Sequence, residues 1–274
     1  MSDFDEYKHL TEPDKKEKLE IWQTAIGLQD VDRLKPSNYL IETAKENIDG
    51  KISISDVKER LNAYYKTKDE KSGDKDRTEE ADKVSAHIAE ILAEKTFKLS
   101  PAELISIHRR LFTGIYKFAG ITRDYNISKD EWVLNGDTVF YASADSIKET
   151  LDYDFAAEKK FDYKGLNIKQ KVEHIADFIS GVWQIHPFGE GNTRTAAVFL
   201  IKYLNSMGFN VSNDIFAEHS WYFRNALVRA NYNKHVTGTY PTMEYLMRFL
   251  GNLLLGEKNL LRNRDIRIKA ESEE

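Results

Sequence analysis

The chain has 274 residues, 40 Lys plus Arg against 45 Asp plus Glu for a net charge of −5, and no cysteine. A chain of this length suits one large domain or two small ones and buries about 75% of its unfolded surface, so it needs no staple. The lack of Cys excludes a disulfide framework, a thiolate metal site and a cysteine nucleophile. The acidic balance argues against a nucleic-acid-coating protein. A 41% hydrophobic and 31% charged composition fits a globular chain.

Residues 1–19 are mostly charged and are expected to be flexible. Residues 20–66 read as a small helical domain. KPSNYLIETAKENIDG predicts a helix with Ser37 as N-cap and Gly50 as terminator, and ISISDVKERLNAYY a second, capped by Ser53 or Ser55. Residues 67–83 are charge-dense and predict a linker, with a helix starting near Thr78. LSPAELISIHRRLF opens on a capping box of Ser100 and Glu103 with Pro101 at the first helical position. His108 lies beside its apolar stripe and reads as a packed histidine.

The helical period breaks over 120–142. There, WVLNGDTVF places apolar runs on either side of Asn135-Gly136, a hairpin signal. An isolated hairpin is unstable alone and must lean on the helices. IKQKVEHIADFISGVWQI is amphipathic. After HPFGEGN the period resumes in TRTAAVFLIKYLNSMG, apolar almost all round, so this helix is expected at the buried centre. Two further helices are predicted near 217–231 and 241–255, followed by a charged tail over 257–274. The apolar stretches, such as EYLMRFLGNLLLG, are too short to span a bilayer, so no membrane association is expected. The polar N-terminus lacks the apolar core of a signal peptide, so the expected location is cytoplasmic, or exported without a cleavable signal.

HPFGEGNTR sits at the N-terminus of the buried helix. The first turn of a helix has unpaired N–H groups and a partial positive charge, which favour an anion. Gly189 and Gly191 allow close backbone approach, and Arg194 can fork onto phosphate oxygens. Glu190 suits Mg²⁺, which takes one carboxylate plus phosphate oxygens. Asn192 can bond phosphate or orient the loop, and His186 is the natural general base. Such residues also meet by chance, so these residues alone leave a phosphate site and a plain helix–loop–helix both open.

HPFGEGNTR resembles the signature of Fic-domain proteins, H-P-F-x-[D/E]-G-N-[G/K]-R. IHRRLFTGIYKFAGITR resembles the upstream helix and turn of that family, ending in Arg123. The Asn135-Gly136 hairpin falls at its flap, and WYFRNALVRANY resembles its later helix near the adenine. The likeness covers roughly 84–255 and implies a Fic catalytic domain over 84–256, a mainly α bundle with a small β-hairpin flap. It implies transfer of AMP from ATP, with Mg²⁺, to a Tyr, Thr or Ser hydroxyl of a protein, the chain itself included, with release of pyrophosphate. His186 would take the target's proton and Glu190 hold Mg²⁺. Gly191, Asn192, Thr193 and Arg194 would bind the phosphates, and Phe223 and Asn231 the base. Thr138, Val139, Phe140 and Tyr141 would dock the target by strand addition.

Two departures count. Thr193 stands where the family often has Gly, and Ala197 where its longer signature has a second Arg. The resemblance therefore leaves alternatives: a Fic-type kinase, another nucleotidyl or phosphocholine transferase, or a non-catalytic nucleotide-binding regulator. Homo-oligomers also occur in the family. VDRLKPSNYLIETAKENIDGKISISDVKERLNAYY resembles the antitoxin domain of the VbhA type, implying a toxin–antitoxin arrangement. The inhibitory glutamate of such domains falls by register at Asp32, one methylene shorter, so weak obstruction is expected.

Overall fold

The computed structural model describes residues 3, 4, 7, 13–67, 73–211 and 214–268. Much of the expected flexible N-terminus, the middle of the expected linker and the last six residues lie outside them. The described chain is mainly helical, with no β-strand among the described residues. It divides into two units.

Unit 1 comprises Met1–Thr96 with Ser212–Ser220. Four helices build it: α1 (Pro13–Gly27), α2 (Asn38–Ile48), α3 (Ile54–Thr67) and α4 (Gly73–Ala93). Ser37 caps α2 through Leu40 N–H, as its position predicts. Ser53 caps α3, its hydroxyl accepting the Asp56 N–H at 3.2 Å. A buried carboxylate joins three of the helices: Asp82 of α4 accepts from Ser37 N at 2.7 Å, from Ser37 Oγ at 2.5 Å and from Tyr65 Oη at 2.6 Å. Such a group is tolerable only when paired this completely. Trp22, Leu40, Ile48, Leu61, Val84 and Ile88 fill the core. The segment expected as a linker is therefore helix from Gly73 onward. Phe4, expected to be flexible, is buried and stacks edge-on against Tyr7.

Unit 2 comprises Phe97–Val211 and Trp221–Glu274. It contains α5 (Pro101–Phe112), α6 (Ile147–Lys160), α7 (Ile168–Ile185), α8 (Asn192–Ser206), α10 (Glu244–Leu255) and α11 (Asn263–Ile266). The later part of α9 (Asp214–Asn231) also belongs here, beyond a non-helical residue at His219. Ser100 caps α5 through Glu103 N–H, and Asn167 with Gln170 forms a capping box on α7. As its all-round apolar pattern predicts, α8 is buried from Asn192 to Leu204 and packs on α5 and α7.

One expectation needs correction. The hairpin does not form a ladder. Trp132–Leu134 make a 3₁₀ turn, and Asn135 and Gly136 take positive φ of 55° and 92°. The turn closes on itself, with Glu131 N–H to Asp137 C=O and Gly136 N–H to Glu131 C=O. Consecutive Val133 and Leu134 are both buried, which the alternation of a strand forbids. The charged tail is also docked over its described part. Ile266 is buried, and Ile268 N–H donates to Val133 C=O at 3.0 Å. Arg267 Nε donates to Asn135 Oδ1 at 2.8 Å, and its guanidinium lies over the Trp132 ring.

Candidate active site

The segment His186–Arg194 turns from the C-terminus of α7 into the N-terminus of α8, inside unit 2. His186 caps α7 in the left-handed region, φ 50°, a conformation uncommon outside Gly and Asn. Its surroundings enforce it. Arg123 N–H donates to Pro187 C=O at 2.9 Å, and the Arg123 side chain donates to the carbonyls of His186 (2.8 Å), Ile185 (3.3 Å), Tyr125 (2.7 Å) and Ala142 (2.5 Å). One buried guanidinium thus stitches the turn to the segment before it.

The imidazole of His186 is only 3% exposed. Its Nδ1 lies 3.2 Å from Trp183 C=O. A carbonyl only accepts, so Nδ1 carries the proton and Nε2 keeps its lone pair. Burial holds the group well below the ordinary histidine range, and the positive charge of Lys129 adds to this. The ring is therefore neutral at pH 7. Tyr141 stacks on it with centroids 4.1 Å apart, and the Tyr141 hydroxyl donates to Glu131 at 3.3 Å.

The loop after His186 is braced from two sides. Asn192 spans it, its Oδ1 accepting Phe188 N–H at 2.9 Å and its Nδ2 donating to Phe188 C=O at 2.7 Å. His108 of α5 braces the other side. Gly120 N–H donates to His108 Nδ1 at 2.8 Å, so the proton sits on Nε2, which donates to Glu190 C=O at 3.0 Å. The His108 ring stacks on Phe188 at 3.7 Å. Burial pushes its pKa down to about 4.

Gly191 caps α8 with φ 77° and offers no side chain to its first turn, the end of a helix that favours an anion. A Cβ at Gly191 would lie 2.3 Å from the Phe112 ring, and one at Gly189 2.7 Å from the Tyr125 hydroxyl. These glycines thus let the loop approach its own neighbours as well as a ligand. Arg194 is buried over Phe112, 4.8 Å from the ring centroid, and donates to Tyr116 Oη at 3.4 Å. The Thr193 hydroxyl oxygen accepts the Trp183 indole N–H at 3.0 Å, tying α8 to α7. Ala197 is fully buried in α8. The Glu190 carboxylate is half exposed and pairs with Lys129 Nζ at 2.9 Å.

The structure brings together His186, Glu190, Gly191, Asn192, Thr193 and Arg194. The two base-pocket candidates lie on α9. Phe223 is buried against Phe249, centroids 5.0 Å apart. The Asn231 side-chain amide donates to Ser180 Oγ at 2.8 Å and to Leu227 C=O at 2.9 Å, holding α9 to α7. Of the flap residues, Val139 is buried, Tyr141 covers His186, and Thr138 Oγ1 accepts Lys129 N–H. Phe140 is 78% exposed, and its C=O accepts from Gln184 Nε2. Asp32 lies in unit 1, in the 3₁₀ turn Leu28–Asp32, where its C=O accepts from Arg77. Sequence reasoning missed Lys129 and the buried pair Glu131–Arg224, in which Arg224 Nη2 reaches both carboxylate oxygens at 2.9 and 2.8 Å. A lysine in a polar loop carries no periodic signal, so nothing in its own segment marked it.

Residues 98–204 match the model of the Fic/DOC family, and that stretch is a Fic/DOC domain. The chain is 28% identical over 108 residues to protein adenylyltransferase VbhT of Bartonella schoenbuchensis, a match covering 39% of this chain and 21% of that protein. It therefore spans about a fifth of that relative's length. Two solved structures share the fold. One is the ADP-bound N-terminal Fic domain of a VirB-translocated Bep effector from Bartonella quintana: TM-score 0.53, 21% identity, 67% of this chain and 86% of that one. The other is AMPPNP-bound BepC from Bartonella tribocorum: TM-score 0.52, 20% identity, 67% and 88%. No helix among the described residues is long and apolar enough to cross a membrane.

Proposed function

We propose that this chain transfers AMP from ATP to a Tyr, Thr or Ser hydroxyl of a protein, releasing pyrophosphate. One observation carries the reading: a neutral His186 with its Nε2 free sits at the mouth of an uncapped helix N-terminus, four residues before a half-exposed carboxylate. The target hydroxyl oxygen attacks the α-phosphorus while its proton passes to His186 Nε2. The bond from the α-phosphorus to the bridging oxygen breaks, and pyrophosphate leaves. The first-turn amides of α8 and the Arg194 guanidinium stabilise the phosphate charge, as expected where positioning and electrostatics do most of the work. Glu190 fits Mg²⁺, because its carboxylate already accepts a cation in Lys129. When bound, the ion would neutralise charge on the phosphates.

The segment Thr138–Tyr141 is proposed to receive the target, with the exposed Phe140 as its apolar contact. VbhT, named an adenylyltransferase, supports AMP transfer over the other Fic chemistries. The test is intact-mass spectrometry of the chain and a cell lysate with Mg²⁺-ATP. AMP mass is expected with the wild type and lost with His186→Ala, since removing a general base costs about 10²–10⁴-fold. A phosphate mass would replace this reading with a kinase, and no added mass would overturn it.

We further infer that residues 20–66 act as an antitoxin-like regulator of the VbhA type with weak obstruction centred on Asp32. Asp32→Ala should then change transfer little; a large gain would show strong obstruction.

A further inference from the structure

We propose that Lys129 is an exchangeable cation of this site: it pairs with Glu190 before nucleotide arrives and binds the nucleotide's phosphates once a divalent ion takes that carboxylate. The inference rests on the nucleotide-binding reading above. Its basis is the ion pair of Lys129 Nζ with Glu190 Oε2 at 2.9 Å, which joins the loop before the flap to the phosphate-binding turn.

The backbone of Lys129 is anchored by hydrogen bonds, whereas its side chain is held by the Glu190 pair. Its N–H donates to Thr138 Oγ1 at 3.2 Å, and Thr138 N–H donates to Asp137 Oδ1 at 2.8 Å. Asp137 is in turn held by the Tyr232 hydroxyl at 2.8 Å and by Lys234 at 3.1 Å. Two residues on, Glu131 is buried and clamped by Arg224. The Cα of Lys129 is therefore fixed, and only its flexible stem is free to redirect the charge.

The pair itself is weak enough to open. The Lys129 and Glu190 side chains are 21% and 52% exposed, and ion pairs this open contribute about 1 kcal/mol or less. A divalent ion bridging a carboxylate and phosphate oxygens outcompetes it. The ammonium is then released beside the turn that carries Glu190, where the phosphates are proposed to bind. An ammonium on a flexible stem is suited to follow a phosphate, and a charge-assisted bond to it is short and strong.

The test is calorimetric titration of the full chain with Mg²⁺-AMPPNP. Lys129→Met should weaken binding about tenfold, as loss of one charge-assisted hydrogen bond implies, and Lys129→Arg should restore most of it. Lys129→Met should weaken binding by the same factor in a Glu190→Gln background. If that loss vanishes there, Lys129 acts only through Glu190 and the inference falls. Equal affinity of wild type and Lys129→Met overturns it while leaving the proposed function intact. Wild-type protein that takes up no nucleotide overturns both.

Discussion

Replacing His108 by Leu removes a brace on the His186–Arg194 loop, proposed to bind phosphate, without touching its residues. The buried Gly120 N–H and the part-buried Glu190 C=O both lose their partner. An unsatisfied buried group such as the Gly120 N–H costs about 1–3 kcal/mol, so the variant should be roughly that much less stable at pH 7. The cost should shrink in acid. The folded pKa of His108 is lowered to about 4 from an ordinary 6.5, chiefly by burial with Arg194 adding to it. The unfolded chain therefore binds the proton more readily, and the stability His108 contributes is lost as pH falls from 6.5 toward 4. Linkage with those two values gives a loss of about 2 kcal/mol between pH 7 and pH 4.5. Urea unfolding of wild type and His108→Leu at the two pH values reads this directly. The gap between them should narrow by about 2 kcal/mol, because only the wild type carries the titrating ring. A gap that stays constant or widens in acid would refute the assignment of a neutral His108 accepting from Gly120.

The remaining expectations are these. Gly191→Ala places a Cβ 2.3 Å from the Phe112 ring at φ +77°; with about 1–2 kcal/mol of left-handed strain alone, it should lower Tm and nucleotide affinity together. Arg224→Met leaves the Glu131 carboxylate buried without its cation, which should cost about 3–5 kcal/mol in denaturant titration. Because burial and Lys129 hold His186 well below the usual range, the acid limb of AMP transfer should lie below pH 6.5 in a pH–rate profile; a limb above 7 would refute a base that stays neutral.

What could be read in the sequence follows from where the information is local. The caps at Ser37 and Ser100 depend on a hydroxyl and the next three residues, so spacing alone exposed them. The burial of α8 followed from apolar residues on every face. The hairpin failed because Asn135-Gly136 specifies a turn but not what it closes on. Arg224, 93 residues from Glu131, draws the start of the loop inward, and a ladder gives way to a 3₁₀ turn. The helix expected near Thr78 starts earlier, at Gly73, and buries Ala81, Val84, Ser85 and Ile88 at i, i+3, i+4 spacing in unit 1. Phe223 and Asn231 were assigned through resemblance alone, since an aromatic and an amide on a helix give no local signal of a base pocket.

The loop His186–Arg194 shows how rigidity and exchange divide between backbone and side chains. Arg123 fixes the carbonyls of Ile185 and His186, Asn192 closes the loop on Phe188, and His108 holds the carbonyl of Glu190. All three clamps act on main-chain atoms, those of Arg123 and Asn192 being buried, so the amides proposed to face an anion are set in place before it binds, and little reorganisation is left for the reaction itself. The Glu190 side chain emerges from this fixed frame into a half-exposed position, where its partner is a lysine on a stem. A carboxylate locked as firmly as its own carbonyl could not trade Lys129 for a metal ion. Loosening the frame should therefore degrade phosphate binding and proton transfer together, because both are referred to the same backbone. Removing Lys129 should act on nucleotide binding while leaving the His186 ring in place. Circular dichroism and nucleotide titration of His108→Leu beside Lys129→Met separate the two: loss of both fold stability and affinity in the first, of affinity alone in the second.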